Sequence, residues 1–346
     1  NYGCVPSKAL IAAAKHAEFI RTAPKFGVSG GGKGPKINFK KVHDHVHSVI
    51  ESIAPMDSVD RFEALGVTVI EDTARFVDKD TVIAGDTIIK PRRIVVATGS
   101  SAFVPPIPGI KDVDYLTNET IFDRTRSPGH LLVIGGGPIG LEMAQAHRRL
   151  GAQVTVIEGL KALGKDDPEL ATIVLDKLRQ EGIVIRESTK VARVEKLADD
   201  RIRLHLETAD GTREIDGDTL LVATGRAATV QGLELDKAGI KYGPRGIQVN
   251  RRMQTSNKKV FAIGDVAGGL QFTHVAGYHA GLVIRAILFR LRASENTRII
   301  PWSTYTDPEL AQVGHTEESA RAAFRKIRVL RWPYAENDRA QAEGKT

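Results

Sequence analysis

Cysteine is almost absent from this sequence, because Cys4 is the only one among 346 residues. A single cysteine excludes a disulfide within the chain and any metal site built from several thiolates. Sparse cysteine is typical of proteins that work in a reducing compartment, so we expect a cytoplasmic location.

Long apolar runs and clustered charge are also missing. No stretch of eighteen apolar residues occurs, and no basic segment precedes a short apolar one, so we expect neither a membrane span nor a signal peptide. The 49 basic and 42 acidic residues leave a net charge of +7, and aromatics make up 5% of the chain. Nucleic-acid binding favours clustered basic residues interleaved with aromatics. We therefore expect no nucleic-acid partner, and the mildly basic surface favours anionic dinucleotides instead.

What the sequence does contain indicates two or three α/β domains. A length of 346 residues exceeds one ordinary core, and a hydrophobic content of 42% is typical of globular proteins. Before residue 100 the patterns predict a helix over 4–21, a glycine-rich loop at 27–35, a helix over 39–65 interrupted at Pro55, and strands at 67–70, 81–83, 87–89 and 94–96.

The glycine-rich turn Gly135-Gly-Gly-Pro-Ile-Gly140 is the strongest local signal. It follows a predicted buried strand at 131–134 and opens a predicted helix over 141–150, as in dinucleotide-binding folds. Gly135, Gly137 and Gly140 permit a tight turn and close approach of a pyrophosphate to the helix N-terminus. The alternative is a glycine-rich turn of another α/β domain.

Glu158 stands at the end of the next predicted strand, 154–157, at the spacing that the dinucleotide fingerprint requires. A carboxylate there accepts a hydrogen bond from the ribose 2′-hydroxyl and repels a 2′-phosphate. We therefore predict NAD as the nicotinamide cofactor. NADP is the less favoured alternative, because Lys161 lies close by.

Two segments nearly repeat each other. Ile94-Val-Val-Ala-Thr-Gly99 and Leu220-Leu-Val-Ala-Thr-Gly225 both read as a short strand that ends in Ala-Thr-Gly. They lie on either side of the predicted dinucleotide fold. This arrangement predicts two related nucleotide-binding domains, one inserted into the other.

A second candidate ligand residue is Asp265, which follows the short apolar strand predicted at 260–263. Gly264 lets the carboxylate emerge at the carboxyl end of that strand, where open α/β sheets bind ligands. Asp265 is therefore a candidate acceptor for a sugar hydroxyl. The alternative is that it caps the N-terminus of the following helix.

Cys4 stands at the start of a predicted helix, with Lys8 one turn further on. A helix N-terminus and a nearby ammonium both stabilise a thiolate. An inert buried thiol is the alternative. The closely spaced His43, His45 and His47 do not predict a metal site, because only the first and third share a helix face.

These motifs together resemble the flavin-dependent pyridine nucleotide–disulfide oxidoreductases, the group that includes dihydrolipoamide dehydrogenase and mercuric reductase. Asn1-Tyr-Gly-Cys-Val-Pro-Ser-Lys8 is similar to the second half of that family's redox-active segment, Cys-x-Asn-x-Gly-Cys-x-Pro-Ser-Lys. The glycine turn and the Gly-Asp at 264–265 also match. Trp302 to Gly314 and Glu336 to Ala340 resemble parts of its dimerisation domain.

The resemblance implies an α/β fold of two Rossmann-like domains followed by the start of an α+β dimerisation domain. An FAD domain (1–125 and 229–298) would enclose an NAD domain (126–228), and 299–346 would begin the dimerisation domain of a homodimer. The first cysteine, the first phosphate loop and a later His-x-x-x-x-Glu motif of the family are not among residues 1–346. We therefore expect a piece of a longer protein, inactive by itself.

The resemblance also implies roles for individual residues. Cys4 would be the flavin-proximal sulfur, and Lys8 would pair with Glu142 near the flavin; these three are the predicted catalytic residues. Asp265 would hold the ribityl chain, and the helix at His274 would face the flavin pyrimidine. The predicted cofactor contacts are Lys8, Ala74, Thr98, Gly99, Gly135, Gly137, Gly140, Glu142, Glu158, Val191, Gly225, Arg226, Asp265, Gln271, Phe272, Thr273 and His274.

The implied activity passes a hydride between nicotinamide and flavin, and electrons between FAD and the disulfide that includes Cys4. A dithiol such as dihydrolipoamide, free or on a lipoyl domain, is the expected partner. Mercuric ion is the close alternative, because both groups carry the same cysteine segment. A non-catalytic nucleotide-binding remnant is the alternative from another class.

Overall fold

The computed structural model describes residues 3–28 and 34–346. Asn1 and Tyr2 of the redox-segment match, and residues 29–33 of the predicted glycine-rich loop, lie outside the described residues. Within the described ranges the α-helices are α1 (Cys4–Thr22), α2 (Phe39–Ile53), α3 (Val59–Ala64), α4 (Pro138–Arg149), α5 (Pro168–Gln180), α6 (Thr273–Leu288), α7 (Glu317–Ala323) and α8 (Asp338–Ala342).

The strands are short, and most belong to small sheets. In chain order they are β1 (Ala74–Phe76), β2 (Val82–Ala84), β3 (Thr87–Ile89), β4 (Ile94–Val96), β5 (Ser100–Ala102), β6 (Tyr115–Leu116), β7 (His130–Ile134), β8 (Gln153–Ile157), β9 (Val184–Arg186), β10 (Lys190–Lys196), β11 (Ile202–Thr208), β12 (Gly211–Gly217), β13 (Thr219–Val222), β14 (Arg226–Ala228), β15 (Tyr242–Gly243), β16 (Gly246–Ile247), β17 (Val260–Ala262), β18 (Pro301–Thr304) and β19 (Leu310–Val313).

The largest sheet has five parallel strands in the order β6-β13-β7-β8-β9. Alternate residues of β7 face opposite layers. Leu131 and Val133 pack in a cluster with residues of α4 and α5, whereas Leu132 and Ile134 pack against the antiparallel β10-β11-β12 sheet. A parallel sheet covered on both faces explains why β7 is apolar at nearly every position.

A second core is formed by residues that precede and follow the five-stranded sheet in the chain. β4 and β17 pair in parallel although more than 160 residues separate them in the chain, and Val96, Val260 and Ala262 pack in one cluster. The strand β5, which follows the first Ala-Thr-Gly, pairs antiparallel with β14, which follows the second. The two similar segments thus meet where the chain passes between the two folds.

Residues 301–313 pack against the region of the five-stranded sheet. β18 and β19 form an antiparallel pair, and Trp302 Nε1 donates a hydrogen bond to Asp166 Oδ1 at 2.9 Å. The side chain of Gln145 on α4 bonds both backbone groups of Asp307. Residues 301–313 are therefore attached directly to the fold that carries the glycine turn.

The predicted elements agree with the structure in most places and differ at a few boundaries. The helical stretch over 39–65 is interrupted as expected, since α2 ends at Ile53 and the turn Ala54–Asp57 contains Pro55. The strand predicted at 67–70 is wrong, because that segment has no ladder partner and the first strand is β1. The helix predicted over 141–150 begins earlier, at Pro138, whose missing N–H suits a first helical position.

None of the helices in the described part of the chain is long and apolar enough to cross a membrane.

Candidate functional site

The glycine turn lies between β7 and α4, at the carboxyl edge of the parallel sheet. Gly135 has a φ of +114°, and a Cβ there would collide with the Ala223 carbonyl. A Cβ on Gly140 would collide with the Gly135 carbonyl, whereas one on Gly137 would meet nothing within 4 Å. The turn is thus packed tightly against the protein and open at Gly137, which leaves room for a phosphate beside the N-terminus of α4.

Glu158 follows β8 directly and is held beside this turn. Its Oε2 accepts a hydrogen bond from the Gly136 amide at 2.7 Å, and its Oε1 accepts one from the Leu160 amide at 2.8 Å. The side chain is half-buried. Two backbone donors therefore fix the carboxylate at the edge where the ribose of a dinucleotide would lie.

Cys4 is exposed at the first position of α1, so the buried-thiol alternative is wrong. Its Sγ lies 3.5 Å from Oγ1 of Thr273, the first residue of α6. The N-termini of two helices therefore meet at the thiol. Both helix dipoles present their positive ends to this point, which favours negative charge there.

Lys8, one turn after Cys4, connects α1 to α4. Its Nζ lies 2.8 Å from Glu142 Oε2, and the Glu142 side chain is only 6% exposed. The other carboxylate oxygen accepts a hydrogen bond from the Tyr305 amide at 2.9 Å. The Tyr305 ring lies under the ammonium, with 4.2 Å from Nζ to its centroid. The predicted Lys8–Glu142 pair thus exists, and an aromatic ring completes it.

Asp265 lies in the 3₁₀ turn Gly264–Ala267 that follows β17. Its Oδ2 accepts a hydrogen bond from Ser100 Oγ at 2.5 Å and lies 3.6 Å from Arg226 Nε. The N-cap of α6 is Phe272, with no side-chain cap. The alternative that Asp265 caps that helix is therefore wrong, because six residues separate it from the cap position.

Several predicted contacts flank Asp265 at the crossing between the two folds. Thr98 Oγ1 donates to the Thr229 carbonyl, and Arg226 bonds both Oγ and the carbonyl of Ser100. Gly99 and Gly225 have φ of +65° and +137°, with no atom near a Cβ position. These hydrogen bonds connect the segments at 98–100 and 226–229, and the space beside Gly99 and Gly225 is open.

The remaining predicted contacts have different surroundings. Ala74 is exposed on β1, and Val191 is buried in the core cluster of the β10-β11-β12 sheet. Gln271 is half-buried just ahead of α6. The rings of Phe272 and His274 stack with centroids 5.3 Å apart, and His274 Nε2 bonds the Pro301 carbonyl at 2.8 Å. Their cofactor roles stay predictions.

Sequence reasoning missed Tyr305 and Ser100, both of which contact predicted site residues. Tyr305 lies 163 residues from Glu142, and Ser100 lies 165 residues from Asp265. No local pattern distinguishes them from other surface tyrosines and serines. The only usable signals were that Tyr305 lies inside the segment 302–314 and that Ser100 directly follows the segment 94–99.

The histidines of α2 show no metal arrangement. The ring centroids of His43 and His47 lie 4.2 Å apart with the rings tilted by 32°, as expected for two residues on one helix face. His43 Nδ1 bonds Asp44, and His47 Nε2 bonds the Phe122 carbonyl. Among the described residues no group of three histidine, cysteine or acidic side chains is close enough together to hold a metal ion.

Comparison with known families identifies the fold that these residues occupy. A profile described as pyridine nucleotide-disulphide oxidoreductase matches residues 1–280, and a second, described as the dimerisation domain of that family, matches residues 300–346. The chain belongs to this family. The match confirms the predicted family and the mixed α/β fold class, and the pyridine nucleotide-disulphide oxidoreductases depend on FAD and NAD(P).

Relatives within the family include more than one kind of enzyme. A mercuric reductase of Bacillus cereus is 32% identical over 323 residues, covering 93% of this chain and 51% of the relative. A dihydrolipoyl dehydrogenase of Thermus scotoductus is 35% identical over 355 residues, covering 99% of this chain and 74% of the relative. The chain spans between half and three fifths of the length of the first three curated relatives, all mercuric reductases.

Solved structures also support the fold of this family. The HOCl-induced flavoprotein disulfide reductase RclA of Escherichia coli superposes with a TM-score of 0.87 at 27% identity, covering 100% of this chain and 75% of that chain. The residues present fit the family's two dinucleotides. The open side of Gly137 suits a pyrophosphate, and the Asp265 carboxylate beside open space at Gly99 suits a sugar hydroxyl.

Proposed function

We propose that this chain provides the catalytic and nucleotide-binding core of an FAD-dependent oxidoreductase that passes electrons between NAD(H), flavin and a redox-active disulfide that includes Cys4. A dithiol such as dihydrolipoamide is the proposed partner. Bound FAD would relay an electron pair between the nicotinamide and the disulfide. The chain's own residues bind and orient the groups around that relay.

The observation that carries this proposal is that the helices without a side-chain N-cap are those that begin at the candidate site. A side chain satisfies N-terminal amides of five helices in the described part of the chain, the caps being Asn38, Ser58, Asp167, Thr316 and Asn337. The other three, α1, α4 and α6, have none. Helix α1 begins at Cys4, and α4 begins in the glycine turn. Helix α6 begins at Thr273, which contacts Cys4. Uncapped helix N-termini are ready-made sites for anionic or polar ligand groups.

The proposed catalytic residues lie along this set of helix starts. Cys4 would form the disulfide with a second sulfur, and the electron pair relayed by FAD would break that S–S bond and release Cys4 as a thiolate, which two helix dipoles would favour. Glu142 would hold the Lys8 ammonium in place one helical turn from the thiol. Glu158 would accept from the ribose hydroxyl of NAD, and Asp265 from the ribityl chain of FAD.

Mercuric ion reduction is the second candidate. Mercuric reductases of four organisms head the curated relatives at 31–34% identity, and the same exposed thiol would hold a mercuric ion that accepts the electron pair relayed by FAD. A non-catalytic nucleotide-binding remnant is the candidate from another class. Residues 300–346 match the family's dimerisation domain, which supports a homodimer in each case.

The test uses the natural protein, purified with its flavin from the source organism, and its Cys4→Ser variant. We expect NADH-dependent reduction of lipoamide by the natural protein and loss of this activity in Cys4→Ser. Ala12→Ser serves as the control, since it introduces the same hydroxyl group at an exposed position two turns further along α1. Turnover with mercuric ion and none with lipoamide would select the second candidate. Absence of bound flavin and of both activities would select the remnant.

A further inference from the structure

A buried histidine on α6 connects the Asp265 turn to a distant carboxylate. His279 is 3% exposed. The Gly264 amide donates to its Nδ1 at 3.2 Å, and its Nε2 lies 3.0 Å from Glu295 Oε1. Because a backbone amide can only donate, Nδ1 is the acceptor nitrogen. The imidazole proton therefore sits on Nε2, which donates to Glu295.

Gly264 is pressed directly against the same helix. Its φ is +67°, and a Cβ there would lie 3.0 Å from the Ala276 Cβ. The turn that carries Asp265 thus rests on α6 at two points, the Ala276 methyl and the His279 nitrogen. The methyl contact limits how closely the turn approaches, whereas the hydrogen bond sets its direction.

The carboxylate on the other side of His279 is itself fixed. The Glu295 amide donates to the Arg251 carbonyl at 2.7 Å, and Arg251 Nη2 donates to the Glu295 carbonyl at 3.0 Å. The next amide, of Asn296, donates to the Tyr278 hydroxyl. Glu295 is therefore anchored independently of His279 and can hold the imidazole in one tautomer and one orientation.

We propose that His279, oriented by Glu295, is a positioning residue for FAD. It sets the location of Asp265 relative to the N-terminus of α6, which lies against Cys4. One helix would thereby hold two polar contacts to the flavin at a fixed separation, the Asp265 carboxylate and its own first amides. This inference rests on the proposed function, which assigns both contacts to FAD.

The test compares three substitutions at one position. In His279→Asn the side-chain oxygen takes the place of Nδ1 and still accepts from Gly264. In His279→Gln the side-chain amide nitrogen takes the place of Nε2 and can still donate to Glu295, but no acceptor replaces Nδ1 opposite the Gly264 amide. His279→Leu keeps volume without any polar atom. Since a lost buried hydrogen bond changes a binding constant about tenfold, we expect Gln and Leu to weaken FAD binding by at least that factor and Asn to stay within about threefold of the natural protein.

The measurements are the FAD dissociation constant of the apoprotein, well below its melting temperature, and the melting temperature itself. Val283→Ala is the matched control. Val283 lies one turn after His279 on α6, is equally buried at 3% exposed, and packs against Met253 and Phe261. It should lower the melting temperature and leave FAD affinity unchanged. A purely structural His279 would behave like this control.

Equal FAD affinity in His279→Asn and His279→Gln would overturn the inference, and this pair decides the question even where the Leu variant fails to fold. Asp265→Ala separates this outcome from failure of the proposed function. Loss of FAD by Asp265→Ala with normal binding by His279→Gln rejects the positioning role alone. Normal FAD binding by Asp265→Ala rejects the assignment of Asp265 to the flavin as well.

Discussion

Individual carboxylates of this chain have separate tasks because their hydrogen-bond partners differ. Glu142 is buried against an ammonium, whereas Glu158 is held by two backbone amides at the open edge of the sheet. Asp265 lies against a hydroxyl and a guanidinium at the crossing of the two folds. In the proposed function these surroundings direct the same functional group to a cation, a ribose or a sugar chain.

Glu158 should decide the choice between NADH and NADPH. Loss of a charged contact at the ribose amounts to about 1–3 kcal/mol, so we expect the natural protein to have a higher kcat/KM with NADH. Glu158→Gln keeps the acceptor for the Gly136 amide and removes the charge, and it should lower the NADH:NADPH ratio of kcat/KM about tenfold. Glu187→Gln, which alters a nearby carboxylate that bonds the Ala162 amide, should leave the ratio unchanged. An equal or higher kcat/KM with NADPH in the natural protein would contradict the assignment.

Asp265→Ala should yield a folded protein that loses its yellow flavin during purification. The variant removes the proposed ribityl acceptor and one partly exposed ion pair, which costs about 1 kcal/mol of stability or less. Visible absorbance gives the bound flavin, and circular dichroism checks the fold. Asp236→Ala is the control, because Asp236 is an exposed carboxylate that contacts only Tyr242. Full flavin occupancy in Asp265→Ala would exclude the proposed role.

His147 on α4 should make the fold less stable in mild acid. Complete burial lowers its pKa from 6.5 to about 4, although its hydrogen bond to the Met143 carbonyl opposes the shift. Nε2 has no hydrogen-bond partner among the described residues. The folded pKa is the lower one, so the unfolded chain takes up the proton first. The stabilising effect of the neutral ring is complete above pH 6.5 and is lost as the pH falls toward 4.

His147→Gln removes this titration. We expect the natural protein to lose about 2 kcal/mol of unfolding free energy from this group between pH 7 and pH 5, and the variant to lose correspondingly less. Urea unfolding at the two pH values measures the change, and only the difference between pH values is compared. His45→Gln, at an exposed position on α2, should keep the slope of the natural protein. An unchanged slope in His147→Gln would show that the ring does not titrate in this range.

At the scale of elements, α4 connects the three parts of the site. Its first residues form the glycine turn, and one face carries Glu142, Gln145 and Arg149 at spacings of three and four residues. Glu142 bonds Lys8 on α1, while Gln145 and Arg149 bond Asp307 ahead of β19. A single helix therefore joins the thiol-bearing helix to the segment that matches the dimerisation domain.

The Lys8–Glu142 pair should contribute measurably to this junction. A double-mutant cycle with Lys8→Met and Glu142→Gln should give a coupling energy of about 1–3 kcal/mol, because one partner is nearly buried. The matched pair is Lys40–Asp44 on α2, whose side chains are 70% and 49% exposed, and its coupling should be several times smaller because solvent screens it. Urea unfolding supplies the seven free energies, since the two cycles share the natural protein. Equal couplings for the two pairs would mean that burial adds nothing to the site pair.

At the scale of the whole molecule, the antiparallel pair β5–β14 joins the region of the five-stranded sheet to the region where β4 and β17 pair. The five-stranded sheet, its glycine turn and Glu158 lie between residues 115 and 222. The two amides that hold the Glu158 carboxylate, of Gly136 and Leu160, lie inside the same range. NAD binding and disulfide chemistry should therefore be separable.

We expect an expressed chain of residues 1–346 to bind NADH without reducing lipoamide or mercuric ion. Thiol–disulfide exchange needs a second sulfur to complete its cycle, and these residues contain only Cys4. NADH fluorescence titration and a turnover assay give the two readings. Gly137→Val is the binding control, because its φ of −79° accepts a side chain and the valine would fill the open phosphate position. Substrate-specific turnover by this chain would overturn the argument from the single thiol.

The nucleotide-binding elements were predictable because their signals are local. The glycine spacing at 135–140, the apolar strand before it and Glu158 after β8 all lie within about 30 residues, where backbone sterics and strand length decide the geometry. The failed strand at 67–70 marks the limit of that reasoning. A short β-branched run becomes a strand only where a partner edge is available, and the chain offers that edge to β1 instead.

The sequence by itself determined the family, the glycine turn and the presence of a lone thiol at a helix start, because each depends on neighbouring residues. Only the tertiary structure decided that Thr273 meets Cys4 across 269 residues of chain and that Tyr305 covers Lys8. It also decided that His279 supports the Asp265 turn. Such contacts form where separate helices pack together, and no local propensity records which side chains will meet there.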